Sequence, residues 1–262
     1  DVNREVGAAI LEAVPGTSVN LSTPDHKIFV EVRGNDSYIF FEVVGGIGGL
    51  PAGSQGKVVT LFSGGVNSFL AACLVLKRGC LVFPIFFKES SRTDDKSRER
   101  AIDAARKFLV FHPRVELRIF TFSEVRDVFG GGVPQDLVNV LYMRARLRAA
   151  QVIGEKMGAD AIVTGETIGR TDRILRGFRA VEGACALPVL RPLAGLDRGR
   201  IGQIARRMKE LGVPLPLKPL SKKVGHPKVD VNLRRIQELD RELEMDALVR
   251  SLSKEVEVIE LR

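Results

Sequence analysis

From Lys57 onward the chain alternates short apolar runs with amphipathic stretches, and this alternation limits the fold more than any other feature. The runs "KVVTLF", "CLVFPIFF", "VELRIFTF", "DAIVTG" and "LPVLRPL" read as strands. Between them, helices are expected from Asn67, from about Lys96, and over Leu137 to Met157. Strands that are apolar on both faces need cover on both sides, which calls for a parallel sheet between helices. Right-handed crossovers then give an α/β doubly wound parallel sheet, with ligands at the carboxyl ends of its strands. "LDRGRIGQIARRMKELG" predicts a further amphipathic helix with Asp197 near its N-terminus, and residues 226–262 a charged helix and a last short strand.

The first fifty residues follow a different pattern. "VNREVGAAILEA" places Val2, Val6, Ile10 and Ala13 on one helical face. "KIFVEVR" and "SYIFFEVV" then read as a hairpin around the turn residues "GND". A helix and a hairpin make a small α+β module that needs further packing to be stable. "GGIGGLPAGSQG" is a glycine-dense connector, expected to let this module pivot. The expected organisation is a module over 1–50, a linker over 51–56, the α/β domain over 57–225 and a C-terminal segment over 226–262.

Composition sets broad limits. With 45% hydrophobic and 27% charged residues, the chain has the makeup of a soluble globular protein. It shows neither a signal peptide nor an apolar run of membrane-spanning length, so a cytoplasmic location is expected. A chain beginning at Asp1 rather than Met is expected to lack an N-terminal piece. The net charge of +8 suits a polyanionic partner such as RNA. Cys73, Cys80 and Cys185 have no metal-ligand spacing and read as thiols in a reducing compartment.

The segment with the most chemical content is "LFSGGVNS". The chain leaves a strand at Phe62 and enters a helix near Asn67. Gly64 and Gly65 allow positive φ and leave backbone N–H groups unshielded, while Ser63 and Ser68 add hydroxyl donors. With the positive end of the helix dipole, these groups form a phosphate cradle. The spacing is neither that of a Walker A loop nor Gly-x-Gly-x-x-Gly. It resembles the PP-loop of ATP pyrophosphatases, Ser-Gly-Gly-x-Asp-Ser, enzymes that split ATP between the α and β phosphates and leave an adenylated substrate.

Other segments narrow the resemblance. "GGIGGLPAGSQGKVVTLFSGGVNSFLAACLVLKRG", "VLYMRARLRAAQVIGEKMGADAIVTGETIGR" and "LPVLRPLAGLDRGRIGQIARRM" are similar, in order, to segments of the ThiI family of tRNA 4-thiouridine synthases. "VNLSTPDHKIFVEVRGNDSYIFFEVV" resembles the later part of a THUMP domain, which takes the acceptor end of tRNA. The resemblance implies that Leu61, Phe62, Ser63, Gly64, Gly65 and Ser68 line a nucleotide site. Phe86 and Phe87 are then expected near the adenine, and Arg144, Gly165 and Glu166 complete the site. Arg191, between apolar residues, reads more readily as a structural residue. Lys27 and Arg33 supply phosphate contacts to RNA. ATP and Mg²⁺ are the implied cofactors. Family chemistry adenylates O4 of a tRNA uridine, and a sulfur nucleophile then displaces AMP; the family name also links it to thiamine biosynthesis. The implied partners are tRNA and a separate sulfur donor or carrier protein, with a homodimer left open.

Two departures from the family pattern bear on catalysis. Asn67 stands where the family carries an acid that helps to hold Mg²⁺ against the pyrophosphate, so no metal ligand is assigned, and turnover is expected to be slow or rescued by neighbours such as Asp94, Asp95 or Glu166. The segment "PLPLKPLSKKVGHPKVDV" lacks the cysteine that carries sulfur in the family, leaving Cys185 as the candidate thiol and Cys73 as core. Both departures keep open the alternative of a non-catalytic ATP- and tRNA-binding homologue.

Overall fold

The computed structural model describes residues 2–88, 95–129, 133–169, 174–216 and 232–262. The chain divides into two compact units, residues 1–46 and 47–262. In the first unit, α1 (Val2–Ala13) is followed by β1 (Phe29–Arg33) and β2 (Asp36–Phe40). The two strands pair antiparallel, from Phe29 opposite Phe40 to Arg33 opposite Asp36. Gly34 turns the hairpin with φ +60°, a conformation that favours glycine. The rings of Phe29 and Phe40 stack 5.2 Å apart. No residue of α1 is buried, and Leu21, Phe41 and Val44 are largely exposed.

The second unit is built on a six-stranded sheet: β3 (Lys57–Leu61), β4 (Leu81–Lys88), β5 (Val115–Thr121), β6 (Ala161–Val163), β7 (Val189–Leu190) and β8 (Glu257–Leu261). The strand order is β7-β6-β3-β4-β5-β8, parallel throughout except for β8, which pairs antiparallel with β5. This is the doubly wound sheet expected from the strand–helix alternation. After β3 the chain first adds strands on one side and then returns to add β6 and β7 on the other. The crevice between the carboxyl ends of β3 and β6 is therefore the topological switch point.

Period-two alternation sends neighbouring strand residues to opposite faces. Val58, Phe86 and Ile119 join one core, with α2 (Val66–Lys77), α3 (Asp95–Arg106) and α7 (Arg198–Glu210). Val59, Phe87 and Phe120 join the other, with α4 (Ser123–Phe129), α5 (Gln135–Met157), α6 (Ile174–Glu182), α8 (Leu233–Glu242) and α9 (Met245–Leu252). The tail thus folds as two helices before β8, where one was expected, and α4 and α6 are additional to the expected helices. The "LPVLRPL" run contributes a strand of only two residues.

Much of the glycine-dense connector belongs to the second unit. The N–H of Leu50 donates to Lys77 O (3.0 Å) and that of Gln55 to Gly79 O (3.1 Å). At Gly49, with φ +112°, an added Cβ would lie 2.4 Å from Lys77 O. Glycine here permits close approach to the end of α2 rather than free rotation. The expected boundary at 225/226 lies outside the described residues.

Candidate nucleotide site

β3 and α2 meet in the Ser-Gly-Gly turn. Phe62, just after the strand, has its ring in the core, 5.4 Å from that of Phe108, while Leu61 packs against the opposite core. Gly64 has φ +71°, and a Cβ there would stand 3.0 Å from Ala101 Cα, so conformation and space both require glycine. The turn is tied to the helix by its serines. Ser63 N–H donates to Ser68 Oγ (3.3 Å), Gly65 N–H to Ser63 Oγ (3.3 Å) and Ser68 Oγ–H to Gly65 O (3.0 Å). The two hydroxyl oxygens lie 3.1 Å apart.

α2 starts without a side-chain cap, because its N-cap is Gly65, and its first turn carries no acid. Asp197 and Asn232, by contrast, cap α7 and α8. The first bond within α2 runs from Phe69 N–H to Gly65 O (3.0 Å), so the N–H groups of Val66, Asn67 and Ser68 precede it. These amides, the dipole and two hydroxyls suit an anion. Asn67, half-buried, sits in this first turn.

The turn after β6 closes the opposite side of the crevice. A Cβ on Gly165 would stand 2.6 Å from Ser68 N and 2.7 Å from Asn67 C, so the Thr164-Gly165-Glu166 turn lies against the first turn of α2. Glu166 Oε2 accepts from Thr164 Oγ1 (3.1 Å) and from Arg191 Nε (2.9 Å). The structure therefore brings Ser63, Gly64, Gly65, Asn67, Ser68, Gly165 and Glu166 together.

Other expected site residues have different surroundings. Phe86 is buried in one core, and Phe87 lies in the other, 5.6 Å from Phe120 and 5.4 Å from Phe122. Arg144 is buried on α5, where it donates to Asp240 Oδ2 through Nε (2.6 Å) and to Ala180 O through Nη1. Arg148 joins it with two bonds to Asp240 (3.0 and 2.7 Å) and pairs with Asp246. The arginine-rich helix thus spends Arg144 and Arg148 on clamping α8 and α9. Asp240 escaped the sequence reading, although an acid on the apolar stripe of Ile236, Leu239 and Leu243 signals a buried basic partner.

Cys185 lies beyond α6, on the α5 side of the sheet, lining a cleft of about 280 Å³ with Arg148, Gln151, Asp246 and Arg250. Its thiol faces the carbonyls of Glu182 (3.7 Å) and Leu187 (3.6 Å). Burial, then the Glu182 charge, push its pKa up, against the pull of Arg191, Arg148 and Arg144. Cys73 is fully buried in α2, and burial pushes its thiol pKa far up. In the first unit, Lys27 and Arg33 are exposed, with Arg33 bound to Glu31 (2.7 Å).

The cradle fits a nucleotide phosphate. Among the described residues no group of three His, Cys, Asp or Glu side chains able to hold an ion occurs. Glu166 is held by Arg191, and Asp95 pairs with Lys88 (3.2 Å). Asp94 lies outside the described residues.

The family described as "Thiamine biosynthesis protein (ThiI)" matches residues 53–245. The chain belongs to the ThiI family. A THUMP domain matches residues 1–42. A ThiI relative from Acetivibrio thermocellus, named as a probable tRNA sulfurtransferase, is 30% identical over 99% of this chain and 67% of its own length. One of the same name from Methanosarcina acetivorans is 31% identical over the whole chain and 65% of its own length. Among solved structures, a 4-thiouridine synthetase in complex with RNA and bound ATP superposes with a TM-score of 0.82 at 29% identity, covering all of this chain and 69% of that one. No helix among the described residues is long and apolar enough to cross a membrane.

Proposed function

We propose that this ThiI-family chain is an ATP-dependent tRNA sulfurtransferase that adenylates a tRNA uridine on the way to 4-thiouridine. The observation that carries this reading is the close approach of Gly165 to Asn67 and Ser68, which brings two family motifs together at the switch point of the sheet. The α2 amides and the hydroxyls of Ser63 and Ser68 hold the nucleotide phosphates. Uridine O4 attacks the α-phosphorus, the α–β bridging bond breaks, and pyrophosphate leaves toward the positive end of α2. The chain acts by placement and fixed dipoles. A sulfur nucleophile then adds at C4, and AMP departs with the O4 oxygen.

Mg²⁺ enters with the phosphates as part of the substrate, and Asn67 offers only a neutral carbonyl where a carboxylate would add charge. Lys27 and Arg33 of the THUMP module contact RNA phosphates. A sulfur donor or carrier protein supplies the sulfur; Cys185 lies on the α5 side of the sheet, where burial and then Glu182 push its pKa up. The second reading, a protein that binds ATP and tRNA without turnover, rests on Asn67 alone. Pyrophosphate release from ATP with and without tRNA decides between them. tRNA-dependent release supports the enzyme; saturable binding of both ligands without release supports the second reading.

A further inference from the structure

Arg191, at the end of β7, has its side chain only 8% exposed and serves three groups at once. Its Nε donates to Glu166 Oε2 (2.9 Å), its Nη1 pairs with Glu182, and its guanidinium lies 4.1 Å above the Phe178 ring. Its Nη2 is buried without a hydrogen-bond partner among the described residues. Glu166 immediately follows Gly165, whose backbone abuts Asn67 and Ser68. Glu182 and Phe178 lie on α6. One planar fork therefore links the turn after β6 to the helix that follows it.

We propose that Arg191 is a positioning residue for the nucleotide cradle, acting through Glu166. The Nε bond fixes the Glu166 carboxylate, and with it the turn that sets Gly165 against the start of α2. If the pair is lost, Glu166 keeps only the Thr164 hydroxyl within its own turn, and the Gly165 contact that shapes the crevice loosens. A role in packing alone would be served as well by an apolar side chain over Phe178, without an orphaned buried donor. The inference rests on the nucleotide-site reading above and adds to it the residue that holds the site in shape.

The test is calorimetric binding of α,β-methylene-ATP, without tRNA, well below each variant's unfolding midpoint. Arg191→Met keeps the stem over Phe178 and removes the donors. It is expected to weaken binding about tenfold, and Glu166→Ala, which removes the acceptor, to do the same. The double variant is expected to bind no worse than the weaker single, because both changes break one link. Arg191→Lys keeps the charge but loses the fork; weakening of about fivefold is expected, so this variant carries the test if Arg191→Met does not fold. Variants that lose thermal stability but keep wild-type affinity would overturn the proposal, as would single effects that multiply in the double variant. If the wild-type chain itself binds no analogue, the nucleotide-site reading falls as well. Wild-type binding with unchanged variants refutes the Arg191 role alone.

Discussion

Gly165→Ala is the substitution whose effect follows most directly from the geometry. The added Cβ would meet Ser68 N at 2.6 Å, Asn67 C at 2.7 Å and Ser68 Cα at 2.8 Å, where ordinary contact begins at 3.4 Å. The gap must therefore open by about 0.8 Å, and all three obstacles are backbone atoms. α2 cannot easily yield, since Phe69 through Cys73 are fully buried. The turn after β6 must move, at a cost of about 1–3 kcal/mol. For a domain of this size that corresponds to a fall of about 2–4 °C in Tm per kcal/mol. A displacement approaching 1 Å at the reacting geometry lowers turnover by about 10²-fold. Differential scanning calorimetry and tRNA-dependent AMP formation read the two effects on one sample. Gly202→Ala on α7, with nothing within 4 Å of the new Cβ, serves as the control and should leave both unchanged or slightly raise Tm. Wild-type Tm and wild-type turnover in Gly165→Ala would refute the argued contact.

Asn67→Asp restores a carboxylate to the first turn of α2 and should speed AMP formation by about 10²-fold or more, in a Mg²⁺-dependent manner. A variant no faster than wild type would show that position 67 does not face the phosphates. Asp240→Asn leaves Arg144 and Arg148 without their buried counter-charge and should cost about 3–5 kcal/mol in urea unfolding. An unchanged midpoint would contradict the clamp. Because burial, then Glu182, raise the Cys185 pKa, its thiolate fraction is smaller than that of free cysteine, and iodoacetamide at pH 8 should label it more slowly. Labelling as fast as that of free cysteine would contradict the raised pKa. Replacing Lys27 and Arg33 together by Ala should weaken tRNA binding and flatten its salt dependence by about 0.7–0.9 log units per lost phosphate contact. An unchanged slope would remove both residues from the RNA surface.

The sheet was legible because apolar runs such as "KVVTLF" and "CLVFPIFF" have only one economical solution, burial on both faces. The cradle was legible because Ser63, Gly64, Gly65 and Ser68 act within one turn, where spacing in sequence is spacing in space. What escaped were relations across long separations. Arg144 was expected at the nucleotide, yet Asp240, 96 residues away, claims it. Phe86 and Phe87 end a strand at the functional edge, but alternation sends each ring into a core. The connector "GGIGGLPAGSQG" has the composition of a pivot, while Gly49 is glycine because Lys77 O leaves no room for a Cβ. Arg191 read mainly as a structural residue, since its three partners converge only in the folded chain.

The central claim, that uridine O4 is activated by adenylation in the crevice between the Ser-Gly-Gly and Thr-Gly-Glu turns, is tested most directly by following the oxygen. tRNA carrying ¹⁸O at uridine O4 is incubated with the chain, ATP and a sulfide donor, and the released AMP is analysed by mass spectrometry. The account predicts one ¹⁸O per AMP, formed in step with thiolated tRNA. AMP free of label, or no tRNA-dependent AMP, would contradict it.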